Sequence, residues 1–178
     1  MAVSSKERAS LGAARSGAHS ARTEVGEVRP ADRSESYRSS LALTARFVGA
    51  LSLLSVGAVH LQQYEYLYSS IPTIGTLFLL NFVGATTLGS ALLAPVERLL
   101  GRWGGAAVAL LALGGIVLAA TAFASLLVAE RTPLFGFMEP GYDPPALMAS
   151  RVAELVTVAL LGSFLFARFA GRGSNGRW

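Results

Sequence analysis

The chain contains no cysteine, and this absence excludes several kinds of chemistry at once. Disulfides, thiolate metal sites, iron–sulfur clusters and CxxC redox motifs all require that residue. Histidine is scarce as well: there are two, and one of them, His19, lies in a serine-rich N-terminal segment. Haem held by two histidines inside one apolar bundle is therefore excluded for a monomer. No residue pattern indicates a cofactor or a metal, and none is predicted.

Charge is absent from two long stretches of the chain. Residues 66–96 run for 31 positions without a charged side chain, and residues 103–128 run for 26. Each stretch is longer than the roughly 20 apolar residues with which a helix crosses the ~30 Å hydrocarbon core of a bilayer. The sequence therefore predicts an integral membrane protein, whose first partner is the lipid bilayer.

The net charge of +4 and the pI near 10.0 do not indicate nucleic acid. The basic residues flank apolar spans, where they are better explained by membrane topology and anionic lipid head groups. No module of interleaved basic and aromatic residues is present. We predict no nucleic-acid partner.

The predicted fold class is an all-α membrane protein, a four-transmembrane-helix bundle with a disordered N-terminal tail. Residues 1–40 contain nine serines, seven basic residues and five acids, with few large apolar side chains. Such a segment buries too little apolar surface to offset its ordering entropy. The bundle occupies residues 41–170, and a short tail follows at 171–178. The predicted spans are 41–61, 71–94, 106–128 and 146–170.

Several residues mark the ends of these spans. Pro72 suits a helix start, because the first turn has no partner for the N–H that proline lacks. Pro144 marks the start of the fourth span, with Asp143 available as its cap. Arg46 lies in the first turns of the first span and can snorkel back to the interface. Trp103 marks one membrane interface, and a tyrosine belt marks the other: Tyr64, Tyr66 and Tyr68.

The two ends of the predicted bundle differ in charge. One end carries the basic N-terminal segment and five further arginines: Arg98, Arg102, Arg168, Arg172 and Arg177. The other end has only Arg131 and Arg151, beside most of the remaining acids: Glu65, Glu130, Glu139, Asp143 and Glu154. The positive-inside rule then predicts a multi-pass protein of the cell membrane with both termini in the cytoplasm.

Small residues recur at helical spacing and predict close helix packing. Apolar surface does not drive helices together in lipid. Association depends instead on small residues, which let two helix backbones approach closely. The pattern comprises Gly49, Gly57, Ala85, Gly89, and the pairs Gly105/Ala109, Gly115/Ala119 and Ala120/Ala124. These faces either pack within one bundle or contact a second copy or another membrane protein.

Four polar residues are candidates for a site: His60, Asn81, Arg151 and Glu154. His60 is either an interfacial hydrogen-bonding residue or a proton acceptor, because imidazole titrates near neutral pH. Asn81 falls near the middle of its span, where an unpaired amide is costly, so it should face another helix as a structural bond or a substrate contact. Glu154 needs a partner, and either Arg151, three residues earlier, or His60 supplies it.

Three further acids are weaker candidates: Glu65, Glu139 and Asp143. Glu65 is expected to lie at the membrane surface as a solvated acid. The other two lie in the connection at 129–145, which is rich in aromatic residues, glycine and proline and forms either a membrane-resting loop or the lid of a small pocket. Together with His60 and Glu154 they offer oxygen and imidazole ligands, but their spacing matches no metal motif.

One run of the chain resembles a group of small four-span membrane proteins of high-GC bacteria that have no assigned activity. The run is Val59–Asn81, together with Phe137–Gly141 of the third connection. Its matching residues are His60–Leu61, Tyr68, Ile71–Pro72, Ile74–Gly75 and Leu77–Asn81. A more distant similarity to DoxX-like proteins, some linked to quinone-dependent oxidation, depends on the span count and the end of the first span. The resemblance implies a membrane location and four spans, and no catalytic residue.

Three functions are compatible with these residues. The leading prediction is a non-enzymatic accessory or interaction subunit, because no catalytic set is present. The alternative is a small carrier of a solute, lipid or proton, with a site in the outer half of the bundle. The second alternative is a subunit of a quinone-linked oxidoreductase. Convergence of the four candidate residues on one cavity favours either alternative over the first.

Overall fold

The computed structural model describes residues 30–141 and 143–174, with side chains at 36–141 and 143–170. Helix α1 covers Pro30–Gln63 and continues as a π-helical turn at Tyr64–Tyr68. The remaining elements are α2 (Pro72–Leu93), the short α3 (Val96–Leu100), a 3₁₀ turn (Gly101–Trp103), α4 (Gly104–Ala129) and α5 (Pro144–Ser174). Of the predicted tails at 1–40 and 171–178, residues 1–29 and 175–178 lie outside the described residues.

Four helical stretches among the described residues are long and apolar enough to cross a membrane. They are Ser36–Tyr68, Pro72–Leu93, Val96–Ala129 and Pro144–Ala170. The predicted all-α, four-helix transmembrane fold is confirmed. The first helix is longer than the predicted span, because residues 30–40 continue it. Once an apolar segment has formed a helix, each added residue costs little, so the helix extends beyond the apolar boundary.

Arg46 is buried between α1 and the end of α2. The residue is 3% exposed. Its Nε donates to the Leu92 carbonyl at 2.8 Å and its Nη2 to the Ala94 carbonyl at 2.9 Å. Its Nη1 lies 2.8 Å from both carboxylate oxygens of Glu97. The last carbonyls of a helix lack partners within it, and a guanidinium offers several donors in a fixed fork. Arg46 therefore ties α1 to the end of α2 through protein groups, and its predicted reach to the membrane interface stays a prediction.

Glycines bring α1 close to two of its neighbours. A side-chain carbon at Gly57 would lie 3.2 Å from the Cβ of Ala85 on α2. One at Gly49 would lie 2.8 Å from a methyl carbon of Leu161 on α5. The Ser52 hydroxyl also donates to the Ala153 carbonyl of α5 at 2.9 Å. These short distances leave little space for a side chain at either glycine, so α1 packs directly against both helices.

Helix α4 completes the bundle with its own small residues. A side-chain carbon at Gly115 would lie 2.9 Å from both Leu53 of α1 and Leu161 of α5. The predicted packing role is confirmed for six small residues, which are buried: Gly49, Gly57, Ala85, Gly89, Gly115 and Ala119. Ala120 and Ala124 are exposed on the other side of α4 and do not pack within the bundle, so for them the alternative contact with another chain stays a prediction.

Candidate functional site

Three of the four candidate residues line one cavity. His60 of α1, Asn81 of α2 and Glu154 of α5 contribute to the wall of a cavity of about 260 Å³. Three different spans therefore place a polar side chain on the same space. Most of the remaining wall is apolar or aromatic. We name this space the lidded cavity, after the loop that covers it.

His60 is held in place by its own helix. Its Nδ1 lies 2.9 Å from the Val56 carbonyl, one turn earlier. A carbonyl only accepts, so Nδ1 carries the proton and Nε2 is turned toward the other helices. Nε2 lies 3.9 Å from Oε1 of Glu154. The ring also packs against Phe78, with 5.1 Å between ring centroids.

Glu154 is the most deeply buried acid among the described residues, with 1% of its surface exposed. The Ser150 hydroxyl donates to its Oε1 at 2.9 Å. Its Oε2 is buried without a hydrogen-bond partner. A buried carboxylate normally has a charged or multiple hydrogen-bonded partner, so this site is only partly satisfied.

Arg151 does not pair with Glu154. Its guanidinium bonds to Glu130, at the end of α4. Residues three apart on a helix lie near one another, but here a residue of the adjacent helix takes the guanidinium. Of the two partners predicted for Glu154, the nearer one is therefore His60. Arg151 instead ties α5 to the end of α4 and does not line the lidded cavity.

Asn81 faces the helices, as predicted from its position near the middle of a span. The residue is 9% exposed and lines the lidded cavity. Its Oδ1 is buried without a partner. An unpaired buried amide oxygen is costly, and this oxygen accepts no hydrogen bond that would hold two helices together.

The connection between α4 and α5 covers the lidded cavity, and we name its described residues, 130–141 and 143, the lid loop. Leu134 and Phe137 form a tight turn, with backbone hydrogen bonds of 2.7 and 3.0 Å between them. Gly136 takes a φ of 81° inside this turn, a backbone conformation that side chains rarely tolerate. Leu134, Phe137 and Glu139 then point into the cavity wall. Of the two predictions for this connection, its position over a pocket supports the lid.

Glu139 and Asp143 attach the lid loop to the helices. The Tyr68 hydroxyl and the Gly141 backbone N–H both donate to the Glu139 carboxylate. The Gln63 amide donates to Oδ2 of Asp143 at 3.0 Å. The Ala146 N–H donates to Oδ1 of Asp143 at 3.2 Å, so Asp143 caps α5 as predicted.

The remaining weaker candidate stays outside the site. Glu65 is exposed on the π-helical turn and does not line the lidded cavity. Among the described residues no three histidine or acidic side chains come together as a metal-binding group. His60, Glu139, Asp143 and Glu154 are therefore spread over the cavity and its lid.

Three residues of the site are not among the sequence candidates: Gln63, Tyr68 and Ser150. Ser150 lies four residues before Glu154, a spacing that brings side chains together on a helix, so the sequence does contain a signal for it. Tyr68, predicted as part of an interfacial belt, is 2% exposed. The π-helical turn changes the direction in which it points, and nothing in the residue types predicts that turn. Gln63 immediately precedes the same turn.

The wall between α2 and α4 is thin. Leu77 and Leu80 of α2 line the lidded cavity and are also exposed, Leu80 by 61%. A shallow groove on the outer side of α4 shares three residues with the cavity: Thr121, Ser125 and Leu134. One layer of side chains therefore separates the cavity from the surface that faces lipid.

The arrangement suits the binding of a small amphipathic molecule. Ligand sites are typically apolar concavities with a few polar groups that fix orientation. Known proteins give no further guide: the chain matches no family model, no curated protein and no solved structure. The resemblance to four-span bacterial and DoxX-like proteins stays a prediction, and the function is inferred from the residues of the cavity.

Proposed function

We propose that this protein is a small membrane carrier that binds an amphipathic molecule in the lidded cavity. The observation that carries the proposal is the convergence of His60, Asn81 and Glu154, from three spans, on one cavity of about 260 Å³. Two of them have buried oxygen atoms without partners. Burying such groups lowers the stability of the fold, so they are better explained by a ligand that satisfies them.

The carrier is favoured over the accessory subunit predicted first from the sequence. An accessory subunit needs a contact surface, and it does not need polar groups around an internal cavity. The small residues Ala120 and Ala124 are exposed on α4, but a stripe of small residues alone does not identify a partner protein. The lidded cavity gives the carrier a physical basis that the accessory role lacks.

The thin wall between α2 and α4 supports a path from the lipid. A molecule with an apolar part would enter between Leu80 and Thr121 and place its polar part beside Glu154. The lid loop would then separate the site from water, since it is attached by Tyr68 and Gln63. We expect the cavity end to face the outside of the cell membrane, with both termini in the cytoplasm, because most arginines of the chain lie at the opposite end.

A quinone-linked role is the second candidate, because the cavity contains flat aromatic surfaces. Tyr68 and Phe78 stack with 4.5 Å between ring centroids, and Phe137 meets Tyr68 edge-on at 5.6 Å. A quinol ring would stack there and donate its hydroxyls to Glu154 or Asn81. Mass spectrometry of an organic extract of the purified protein distinguishes this candidate, because a bound quinone or quinol has a characteristic mass.

Filling the cavity tests the proposed function. Ala122 lies on α4 in the cavity wall, and Ala122→Trp would occupy the space. Ala106→Trp is the matched control, because Ala106 is exposed at the opposite end of the same helix. We expect native mass spectrometry of the wild type, purified from its host membrane, to show a bound small molecule. The molecule should be lost in Ala122→Trp and retained in Ala106→Trp. Equal occupancy in all three proteins would contradict a ligand in this cavity.

Thiol labelling tests the orientation, and the absence of native cysteine makes it direct. Thr132→Cys places a thiol on the lid loop, and Arg98→Cys places one on α3. Both positions are exposed. A membrane-impermeant maleimide added to intact cells should label Thr132→Cys alone, and Arg98→Cys should react only after permeabilisation. The reverse pattern would show that the cavity end faces the cytoplasm.

A further inference from the structure

The polar atoms of the lidded cavity that lack partners are hydrogen-bond acceptors. Asp143 sets the orientation of the Gln63 side-chain amide. Its carboxylate oxygen is an acceptor, so the amide atom that bonds to it is the donor, Nε2. The Gln63 Oε1 is therefore the remaining atom, and it is buried without a partner. The Glu154 Oε2 and the Asn81 Oδ1 are in the same state. A ligand that completes this site has to supply donors.

His60 adds a further acceptor. Its Nδ1–H donates to the Val56 carbonyl, so the neutral ring carries its lone pair on Nε2. Nε2 faces Oε1 of Glu154 across 3.9 Å, which is longer than a hydrogen bond. Two acceptors thus face each other, and a single group with several N–H or O–H donors would satisfy both.

The described side chains of the cavity wall include acids but no permanently charged cation. Glu139 and Glu154 belong to its wall, and no lysine or arginine of the described residues does. Arg151 is held by Glu130, outside the cavity. The described groups that bond to Glu139 and Glu154 are hydroxyls and one backbone N–H. A cation is therefore the charge that this wall lacks.

Aromatic rings supply a second attraction for a cation. Tyr68, Phe78 and Phe137 line the cavity beside the two acids. A ring face carries partial negative charge and attracts an ammonium group within about 6 Å of its centroid. The same rings, with the leucines of the wall, accommodate an apolar body.

We propose that the ligand of the lidded cavity is a lipophilic amine, bound as its ammonium ion. The proposal depends on the proposed function and names its substrate class. An ammonium group has three donors and no acceptor, which matches a wall of unpaired acceptors. A quinone in its oxidised form would instead direct carbonyl oxygens at that wall, and a carboxylate would add negative charge to it.

Three probes with one shape test this proposal: 1-aminoadamantane, 1-adamantanol and adamantane-1-carboxylate. They share an apolar cage and differ only in the polar group. Binding to the full-length protein in lipid nanodiscs, at neutral pH, is measured by isothermal titration calorimetry. We expect the amine to bind about tenfold to a hundredfold more tightly than the alcohol, the range that a charge-assisted hydrogen bond provides. The carboxylate should bind most weakly.

Two variants assign the preference to the cavity. Glu154→Gln keeps the size of the side chain and removes its charge, so the amine should lose most of its advantage over the alcohol. Glu65→Gln is the matched control, because Glu65 is exposed outside the cavity, and it should bind as the wild type does. Asn81→Leu removes one unpaired acceptor without disturbing a hydrogen bond. It should weaken amine binding by about twofold to tenfold.

The outcomes separate this inference from the proposed function. Equal binding of the three probes, or a preference for the carboxylate, would overturn the amine while leaving a cavity that binds small molecules. A preference for the amine that persists in both Glu154→Gln and Asn81→Leu would place its binding elsewhere and also overturn the inference. If no probe binds, the amine is excluded, and the loss or retention of a co-purified molecule in Ala122→Trp decides the proposed function separately.

Discussion

Replacing three helical glycines with alanine should change the free energy of unfolding in a graded way. At Gly162, on α5, an added carbon meets no atom within 4 Å. At Gly115 it would lie 2.9 Å from the methyl carbons of two buried leucines. At Gly75 it would lie 2.6 Å from the backbone oxygen of Tyr68. The three positions therefore differ in what an added methyl group displaces. At Gly162 it displaces nothing, at Gly115 it displaces the ends of two leucine side chains, and at Gly75 it displaces the backbone.

The magnitudes follow from these contacts. Gly162→Ala should stabilise the protein by up to about 1 kcal/mol, the intrinsic helix preference of alanine over glycine. Gly115→Ala has the same gain but overpacks the core, which costs about 1–3 kcal/mol, so the net loss is about 0–2 kcal/mol. Gly75→Ala should cost the most, about 2–3 kcal/mol, because the Tyr68 carbonyl is fixed by the Ile71 N–H at 3.0 Å.

Unfolding in mixed micelles by increasing the fraction of sodium dodecyl sulfate, followed by circular dichroism, measures the series. From most to least stable, the expected order is Gly162→Ala, wild type, Gly115→Ala and Gly75→Ala. Gly75→Ala has a second expected effect, because the displaced carbonyl belongs to a residue of the cavity wall. The Gly75→Ala protein should therefore bind a cavity ligand more weakly than the Gly115→Ala protein does. A Gly75→Ala protein as stable as Gly162→Ala would refute the packing described at the π-helical turn.

Three further predictions concern polar contacts. Arg46→Met should lower the free energy of unfolding by about 3–5 kcal/mol, because it leaves two helix-end carbonyls and a carboxylate without their partner. Arg98 is exposed, so Arg98→Met should change the free energy of unfolding by less than about 0.5 kcal/mol in the same assay. Tyr68→Phe removes the hydroxyl that bonds to Glu139 and should cost about 1.5–3 kcal/mol; limited proteolysis should then cut the lid loop faster than in the wild type. Asp143→Ala should cost about 1 kcal/mol through loss of the α5 cap, and Asp143→Asn, which keeps a capping oxygen, should recover most of it in the unfolding assay.

The four spans could be predicted because they depend on local properties of the sequence. A charge-free stretch longer than a bilayer has few alternatives to a transmembrane helix, and lipid leaves its backbone no other way to satisfy its hydrogen bonds. The capping role of Asp143 is local in the same sense, since its partner lies three residues away. The extension of α1 before Leu41 is not visible in hydropathy, because residues 30–40 are polar.

The contacts of the site depend on residues that are distant in the chain. Arg151 has an acid three residues away, yet it pairs with Glu130, because the crossing of α4 and α5 decides which carboxylate is nearer. His60 and Glu154 could each be identified as unusual residues for a span. That they lie 3.9 Å apart follows only from the packing of α1 against α5. Tyr68 was beyond prediction, since the π-helical turn that directs it inward has no known residue pattern here.

The burial of Arg46 also has a consequence for how the chain enters the membrane. α1 is synthesised before α2, and an arginine inside a span is unfavourable for insertion until it has partners. Its partners Leu92, Ala94 and Glu97 follow 46, 48 and 51 residues later. α1 alone is therefore an incomplete membrane helix, and the shortest segment that satisfies its arginine ends at Glu97. The hairpin of α1 and α2, with the start of α3, thus contains every described group that bonds to this arginine.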